Sequence, residues 1–367
     1  VEHRWSVILS RLDDSKDELT FSQLWRYANT ATGKIHIAIE ELHRRHGPIV
    51  RISPNELSFA SVESWKAIYG HAAPGKSVAI KSPFYDVFGA GFSKSCIGSE
   101  RNPTRHGEMR RMLSSAFSQR NLLEQEDCVL QIIDKFIEII GKKAGKGSDG
   151  LNMTKWYEMV GFDILGEMAF GESFHSIEDG KPHFWSDLIE NHLYLITLID
   201  NLSRLPFVAT VAKIIFPTTL VVQNQNSEYS RRQMEKRLSS KAGRKDFLTS
   251  LVEKVRDGRV DKEEMTAHVS TLAIAGGETV STFLAGTTFF LLKNPVVLKK
   301  LTTEIREAFG SFDDIGAQKA QQLPYLQAVM NEGLRIFPPG SQGFPRISPG
   351  FELHGEYIPP GVSGWFP

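Results

Sequence analysis

The sequence predicts a mainly α fold with a small β portion. Three observations carry that expectation. Residues 261–293 read as one apolar-rich helix about 50 Å long at ~1.5 Å per residue, a length suited to crossing the middle of one large domain. Amphipathic stretches at helical spacing recur on both sides of it. Strand patterning is confined to short runs near residue 50 and near residue 355. No internal repeat and no break in composition divides the chain, so residues 1–367 are expected to form a single domain.

The elements follow in order. Residues 36–46 place apolar side chains at helical spacing, and Gly47-Pro48 stops them. Residues 49–52 and 56–60 read as short strands around a Pro54-Asn55 turn. Ser61 is placed to cap a helix that runs to Tyr69. Residues 70–104, rich in Gly, Pro and Ser, read as a long loop. A basic helix is expected over 105–117. Residues 121–143 then read as one amphipathic helix with Leu122, Leu123, Val129, Leu130, Ile133, Phe136, Ile137 and Ile140 on its apolar side. Residues 145–150 are a Gly-rich linker, 152–170 a helix, and 183–257 helical with proline breaks. After the long helix, 295–309 and 322–336 read as helices. Residues 351–358 read as a β-hairpin with His354-Gly355 at its centre.

Composition narrows the function. Hydrophobic residues make up 41% of the chain and charged residues 23%, which fits a packed globular protein. The formal net charge is zero, which argues against a nucleic-acid partner, since phosphate binding needs a basic surface. Cys96 and Cys128 make neither a disulfide framework nor a Cys-x-x-Cys metal site, and a reducing compartment suits them. The chain starts at Val1 without an apolar leader. No uncharged apolar run reaches the roughly 18–20 residues that span a bilayer; 265–292 is interrupted by His268 and Glu278.

Two glycine-rich matches fail on context. Gly70-x-x-x-x-Gly75-Lys76-Ser77 has the letters of a phosphate-binding loop, which needs a strand before it and a helix after it. Here 61–69 reads as helix, and Pro83 disfavours a helix after Lys76. A P-loop nucleotidase is therefore the remote alternative. Gly145-x-Gly147-x-x-Gly150 follows a lysine-rich helix end rather than a strand and reads as a linker.

The chemistry concentrates elsewhere. Ala275-Gly276-Gly277-Glu278-Thr279 lies half-way along the long helix. Adjacent glycines inside a helix cost roughly 1 kcal/mol each relative to Ala. That cost is offset if another body approaches the backbone, such as a flat cofactor with bound dioxygen, or if a second helix packs closely there. Glu278 and Thr279 carry the acid and hydroxyl of a proton relay; the competing reading puts Glu278 on a solvated face. Glu332 and Arg335 share a helix face at i, i+3 and can pair, just before Pro338-Pro339 ends the helix. His106 and Arg110, at i, i+4, can both donate to one carboxylate.

In this order the motifs resemble those of the cytochrome P-450 haem-thiolate monooxygenases, and the fungal secondary-metabolism members in particular. The similarity runs over about 43–362 and includes Gly47-Pro48-Ile49-Val50-Arg51, Ala116-Phe117-Ser118, Phe170-Gly171-Glu172-Ser173-Phe174, Leu323-Pro324-Tyr325-Leu326 and Ile358-Pro359-Pro360-Gly361-Val362. The resemblance implies the cytochrome P-450 fold and haem b held by a cysteine thiolate, whose donation favours O–O cleavage. It implies dioxygen as co-substrate and electrons from NADPH through NADPH–cytochrome P-450 reductase. A lipophilic small molecule would be hydroxylated or epoxidised by a monomeric enzyme on the cytosolic face of the endoplasmic reticulum. It assigns Glu278 and Thr279 to proton delivery and Ala275, Gly276 and Gly277 to an oxygen groove. His106 and Arg110 fall on one haem propionate, Arg346 on the other, and Glu332 with Arg335 on bracing the cysteine-loop side.

The chain also departs from that pattern. The N-terminal membrane anchor of fungal members is expected to be missing, and no cysteine stands in the 32 residues after Arg335. Gly364 to Pro367 do not continue the family pattern. Phe88 to Gly98 resemble the haem-cysteine loop, but Cys96 falls one position late, Ser93 stands where the family has arginine, and the segment precedes the long helix. The expectation is a chain whose iron ligand lies beyond Pro367 and which is inactive as it stands. The competing reading is a non-catalytic scaffold or interaction protein.

Overall fold

Hydrophobic spacing becomes helix over most of the chain, and the strands from its two ends meet in one sheet. The computed structural model describes residues 23–70, 77–114, 116–145, 147–203, 217–239, 248–341 and 343–365. Two helices come first, α1 (Gln23–Ala31) and α2 (Ile35–His46), followed by strands β1 (Ile49–Ser53) and β2 (Glu56–Phe59) and helix α3 (Val62–Tyr69). Ser61 caps α3 as expected, its hydroxyl accepting from the Ser64 N–H at 3.1 Å.

Residues 70–104 differ from the long loop expected of them. They contain the short strand β3 (Ile80–Lys81) and a 3-10 helix, Pro83–Gly89. Pro83 starts that helix because proline's missing N–H and fixed φ suit a first-turn position, and Ser82 caps it. The phosphate-loop motif falls largely outside the described residues, at 71–76, and the segment before it is the helix α3.

The helices continue with α4 (Pro103–Ser114), α5 (Gln119–Leu123) and α6 (Glu126–Lys143). The single helix expected over 121–143 is thus two. Ser118 caps α5, and the acidic pair Glu126 and Asp127 opens α6 where the helix dipole favours negative charge. The apolar side read over 121–143 is also narrower: Phe136 of α6 is buried, while Leu122 of α5 and Ile137 of α6 are exposed.

α7 (Met153–Phe170) begins at the Asn152 cap and ends at Gly171, whose φ of 76° is the left-handed closure that glycine allows. Next come α8 (Ser176–Asp179), α9 (Phe184–Ser203), α10 (Pro217–Ser239) and α11 (Thr249–Arg256). Buried Asp163 on α7 holds the start of α8, accepting the Ser176 and Ile177 N–H groups at 2.9 and 3.0 Å.

The long helix is α12 (Lys262–Lys293), 32 residues as expected. Asp261 caps it by accepting from the Glu263 and Glu264 N–H groups at 2.8 and 3.1 Å. α13 (Pro295–Ala308), α14 (Ala317–Ala320) and α15 (Pro324–Ile336) follow. The main core surrounds the first half of α12: Met265, Val269, Ala273 and Ile274 pack with Phe162 and Phe170 of α7, Trp185 and Ile189 of α9, Met234 of α10 and Leu251 of α11. Each such side chain contributes about 1.5–3 kcal/mol on burial.

The chain closes with β4 (Arg346–Ile347), β5 (Phe351–Leu353), β6 (Glu356–Ile358) and β7 (Ser363–Trp365). The five-stranded sheet runs β1-β2-β7-β4-β3. β7 is parallel to β2, with Leu57 opposite Gly364, and buried Trp365 packs with Ile35, Ile39, Val50 and Ile52. Residues outside the expected family pattern therefore fill the middle of the sheet. β5 and β6 pair as the expected hairpin, with His354 (φ 52°) and Gly355 (φ 76°) making the left-handed two-residue turn. No single described helix is long and apolar enough to cross a membrane.

Candidate active site

The middle of α12 is shaped by how closely α7 approaches it. A Cβ on Gly161 of α7 would lie 3.3 Å from the Gly277 carbonyl oxygen. One on Gly277 would press to 2.9 Å from the Phe162 ring, and one on Gly276 to 3.3 Å from Leu165. The glycine pair thus admits a neighbouring helix. Of the expected oxygen-groove residues, Gly277 is buried in that contact, Gly276 is half-buried, and Ala275 is exposed on another face together with Thr279 and Val280.

This geometry turns Glu278 and Thr279 to different sides. The Thr279 hydroxyl donates to the Ala275 carbonyl at 2.6 Å, on the open face. Glu278 is half-buried between α7 and α9, with Ser186 Oγ 3.3 Å from its Oε1. It does not lie on a solvated face. Burial pushes its carboxyl up to about 7, and the charges of Glu158 and Glu190 add to the effect. Sequence reading missed Glu158 and Ser186, which lie in other helices and carry no local motif.

The expected propionate residues do converge. His106 and Arg110 of α4 and Arg346 of β4 line one cleft of about 300 Å³, together with Lys81, Tyr69 and Arg101. The Arg346 guanidinium sits over the Tyr69 and Tyr85 rings at 5.6 and 5.3 Å. Its Nε is buried without a hydrogen-bond partner. Lys81 is pushed down to about 8 by burial and then by Arg346, while its Nζ donates to the Ile97 and Gly98 carbonyls at 2.6 and 2.8 Å. Burial, followed by Lys81, Arg346 and Arg110, also lowers His106. Cations crowded enough to depress one another, in a cleft holding an unpartnered guanidinium N–H, form a site for anionic oxygen. Lys81 is a further residue that sequence reading did not single out; it is a lone lysine on a two-residue strand.

Glu332 and Arg335 pair as spacing predicts, with both nitrogen–oxygen distances at 2.7 Å. α15 turns Gly333 toward Thr287 and Phe283 of α12, where a Cβ would collide, so the ion pair points outward and is exposed. The cysteines are elsewhere. Cys96 is buried with its Sγ 2.9 Å from Thr271 Oγ1, and Cys128 is half-buried on α6. Neither lines the cationic cleft.

A family model described as cytochrome P-450 matches residues 19–363. The chain belongs to the cytochrome P-450 family. It is similar to cytochrome P-450 monooxygenase BOT4 of Botryotinia fuckeliana, at 61% identity over 348 residues that cover 94% of this chain and 66% of that protein. It is also similar to cytochrome P-450 monooxygenase ORF9 of Penicillium roqueforti, at 56% identity over 339 residues, covering 92% of this chain and 66% of that protein. A third relative, ORF11 of the same fungus, is 36% identical over 90% of this chain and 69% of its own length. The chain therefore spans about two-thirds of the length of these cytochrome P-450 relatives. All three relatives are fungal cytochrome P-450 proteins.

Proposed function

We propose that this chain forms the distal and propionate-binding part of a haem-dependent monooxygenase that hydroxylates or epoxidises a lipophilic small molecule in fungal secondary metabolism. The observation that carries the reading is the cationic cleft. His106, Arg110, Arg346 and Lys81 converge on it, and the buried Arg346 Nε lacks a partner there. These residues fit the two carboxylates of haem b and would hold them. Bound haem supplies the iron chemistry with which the family activates dioxygen, using electrons from NADPH through a reductase.

The chain's own residues supply the rest of the reading. Ala275 and Thr279 present the open face of α12, and the Thr279 hydroxyl is fixed there by its bond to the Ala275 carbonyl. Glu278, neighbouring Thr279, is an acid whose proton exchanges near neutrality. Glu332 and Arg335, exposed on the outer face of α15, would hold the cysteine-loop side supplied from outside these residues. Because neither Cys96 nor Cys128 lines the cleft, the thiolate ligand on this reading comes from outside the 367 residues. The chain alone is then catalytically silent.

Haem titration tests the reading. The wild-type chain is expected to take up haem, read by Soret absorbance. Arg110→Ala with Arg346→Ala is expected to weaken uptake at least tenfold, since a hydrogen bond to a charged group contributes about 1.5–3 kcal/mol. Equal uptake by the folded double variant would overturn the propionate assignment.

A further inference from the structure

We infer that one turn of α12, from Glu264 to His268, is the gauge that sets the width of the cationic cleft, which makes both of them positioning residues for a bound carboxylate. The inference deepens the carboxylate-binding reading above and rests on it.

The cleft has two walls, and neither belongs to α12. Lys81 of β3 and Arg346 of β4 stand opposite each other on antiparallel strands and make the sheet wall. His106 and Arg110 of α4 make the helix wall. Like charges directly opposite on paired strands repel, and so do cations that face each other across a cleft. Repulsion spreads such walls unless each is tied from behind.

Both ties run to α12. Behind the helix wall, Arg105 precedes His106, and its Nη2 donates to both oxygens of Glu264 at 2.8 and 2.6 Å. Leu113 anchors the far end of α4 in the main core, so this pair holds the end that carries His106. A charge-assisted bond fixes direction as well as distance, which an apolar contact does not. Behind the sheet wall, Lys81 Nζ donates to the Ile97 and Gly98 carbonyls at 2.6 and 2.8 Å. The Ile97 N–H in turn donates to His268 Nδ1 at 2.9 Å. Thr271, three residues on, secures the same segment. Its hydroxyl lies 2.9 Å from Cys96 Sγ and donates to the Phe88 carbonyl at 3.2 Å.

Glu264 and His268 are both buried and four residues apart. They share a face of α12, about 6 Å apart along its axis at ~1.5 Å per residue. The spacing of the two walls is thereby referred to two side chains on one rigid helix. His268 adds a second sign. Its Nδ1 accepts, so the proton lies on Nε2. That N–H is buried without a hydrogen-bond partner, 3.7 Å from Glu264 Oε1. A buried donor left unmade is costly, so the tie to Ile97, not the ring's own satisfaction, sets its orientation.

Comparing haem with its dimethyl ester, which has no free carboxylates, tests the gauge in the full chain. Wild type is expected to bind haem about tenfold more tightly than the ester, since hydrogen bonds to charged groups carry the difference. Glu264→Gln leaves Arg105 its pair with Glu108 of the same helix at 3.0 Å and frees that end of α4 from α12. It is expected to cut the haem preference by about fivefold, a part of one charge-assisted bond, and to leave ester uptake unchanged. Arg105→Gln, changed at the exposed end of the same pair, should match it and serves if Glu264→Gln does not fold. The double variant should lower the preference no further. His268→Phe should also lower it, and His268→Asn should restore it, because an amide oxygen can accept from Ile97. A folded Glu264→Gln chain that keeps the wild-type preference, or that loses haem and ester alike, would overturn the gauge.

Wild-type chain that does not distinguish haem from its ester sinks the carboxylate reading instead. The gauge is then decided by His106 in the chain without haem, titrated by NMR. Burial and the cations Lys81, Arg346 and Arg110 hold its pKa low. A wider cleft in Glu264→Gln raises it toward the ordinary value, whereas loss of a nearby carboxylate alone lowers it. A rise supports the gauge; an unmoved or lowered value contradicts it.

Discussion

The two halves of α12 run in different surroundings, and the contrast explains what each can do. From Glu264 to Thr271 every side chain is buried, and the polar ones are mostly committed to partners. Arg105 binds both Glu264 oxygens at 2.8 and 2.6 Å, Asn226 reaches Ser270 at 3.2 Å, and His268 Nδ1 accepts the Ile97 N–H at 2.9 Å. Beyond Ile274 the helix opens: Ala275, Thr279, Val280, Phe289 and Leu292 are exposed. His268 is buried in the first half and Glu278 half-buried in the second, and burial moves the two oppositely relative to neutral pH. His268 is pushed down to about 4, so it stays neutral and structural, whereas Glu278 is pushed up to about 7 and can exchange a proton where cells work.

The largest effect should come from breaking the close approach that positions the open half. Gly277→Val drives a branched side chain into Phe162 and α7, and overpacking of this kind costs about 1–3 kcal/mol or more. Chemical denaturation should show that loss. A variant as stable as wild type would mean that the glycine pair does not set the spacing between α7 and α12.

A smaller effect should separate the two titratable groups. Glu278 has a folded pKa above its unfolded value, so its contribution to stability is complete below about 4.5 and is lost as pH rises to about 7. With allowance for its partial exposure, the loss is on the order of 2 kcal/mol. Glu278→Gln should flatten the stability profile between those values. A profile that keeps its slope in the variant would place the titration elsewhere.

How much of this was legible in sequence follows from how local each feature is. The limits of α12 could be read because apolar content and the break before Pro295 are local. The hairpin could be read from His354-Gly355, and the Glu332–Arg335 pair from its i, i+3 spacing. The convergence of His106, Arg110 and Arg346 was reached through family resemblance rather than through spacing. The partners of Glu278 were out of reach, since Glu158 and Ser186 meet it only when α7, α9 and α12 pack. The role of the two glycines was also hidden: a helix interior tolerates them for a cofactor or for another helix, and only the position of Phe162 shows that α7 fills the space at Gly277. The split of 121–143 was missed because the apolar period continues across Glu124 and Gln125.

The smallest effect is expected at the outward-facing pair. Arg335→Ala removes an exposed, bidentate ion pair that touches nothing else described. Its thermal midpoint in this chain should match wild type. A large fall would show that the pair already braces α15 without further protein around it.

The central claim is that these residues build the carboxylate-binding side of a haem site and not its thiolate side. The ferrous–CO absorption spectrum of haem-reconstituted 1–367 chain tests it most directly. The account predicts bound haem without the red-shifted Soret band of thiolate ligation. That band, appearing from this chain alone and vanishing in Cys96→Ser, would contradict it.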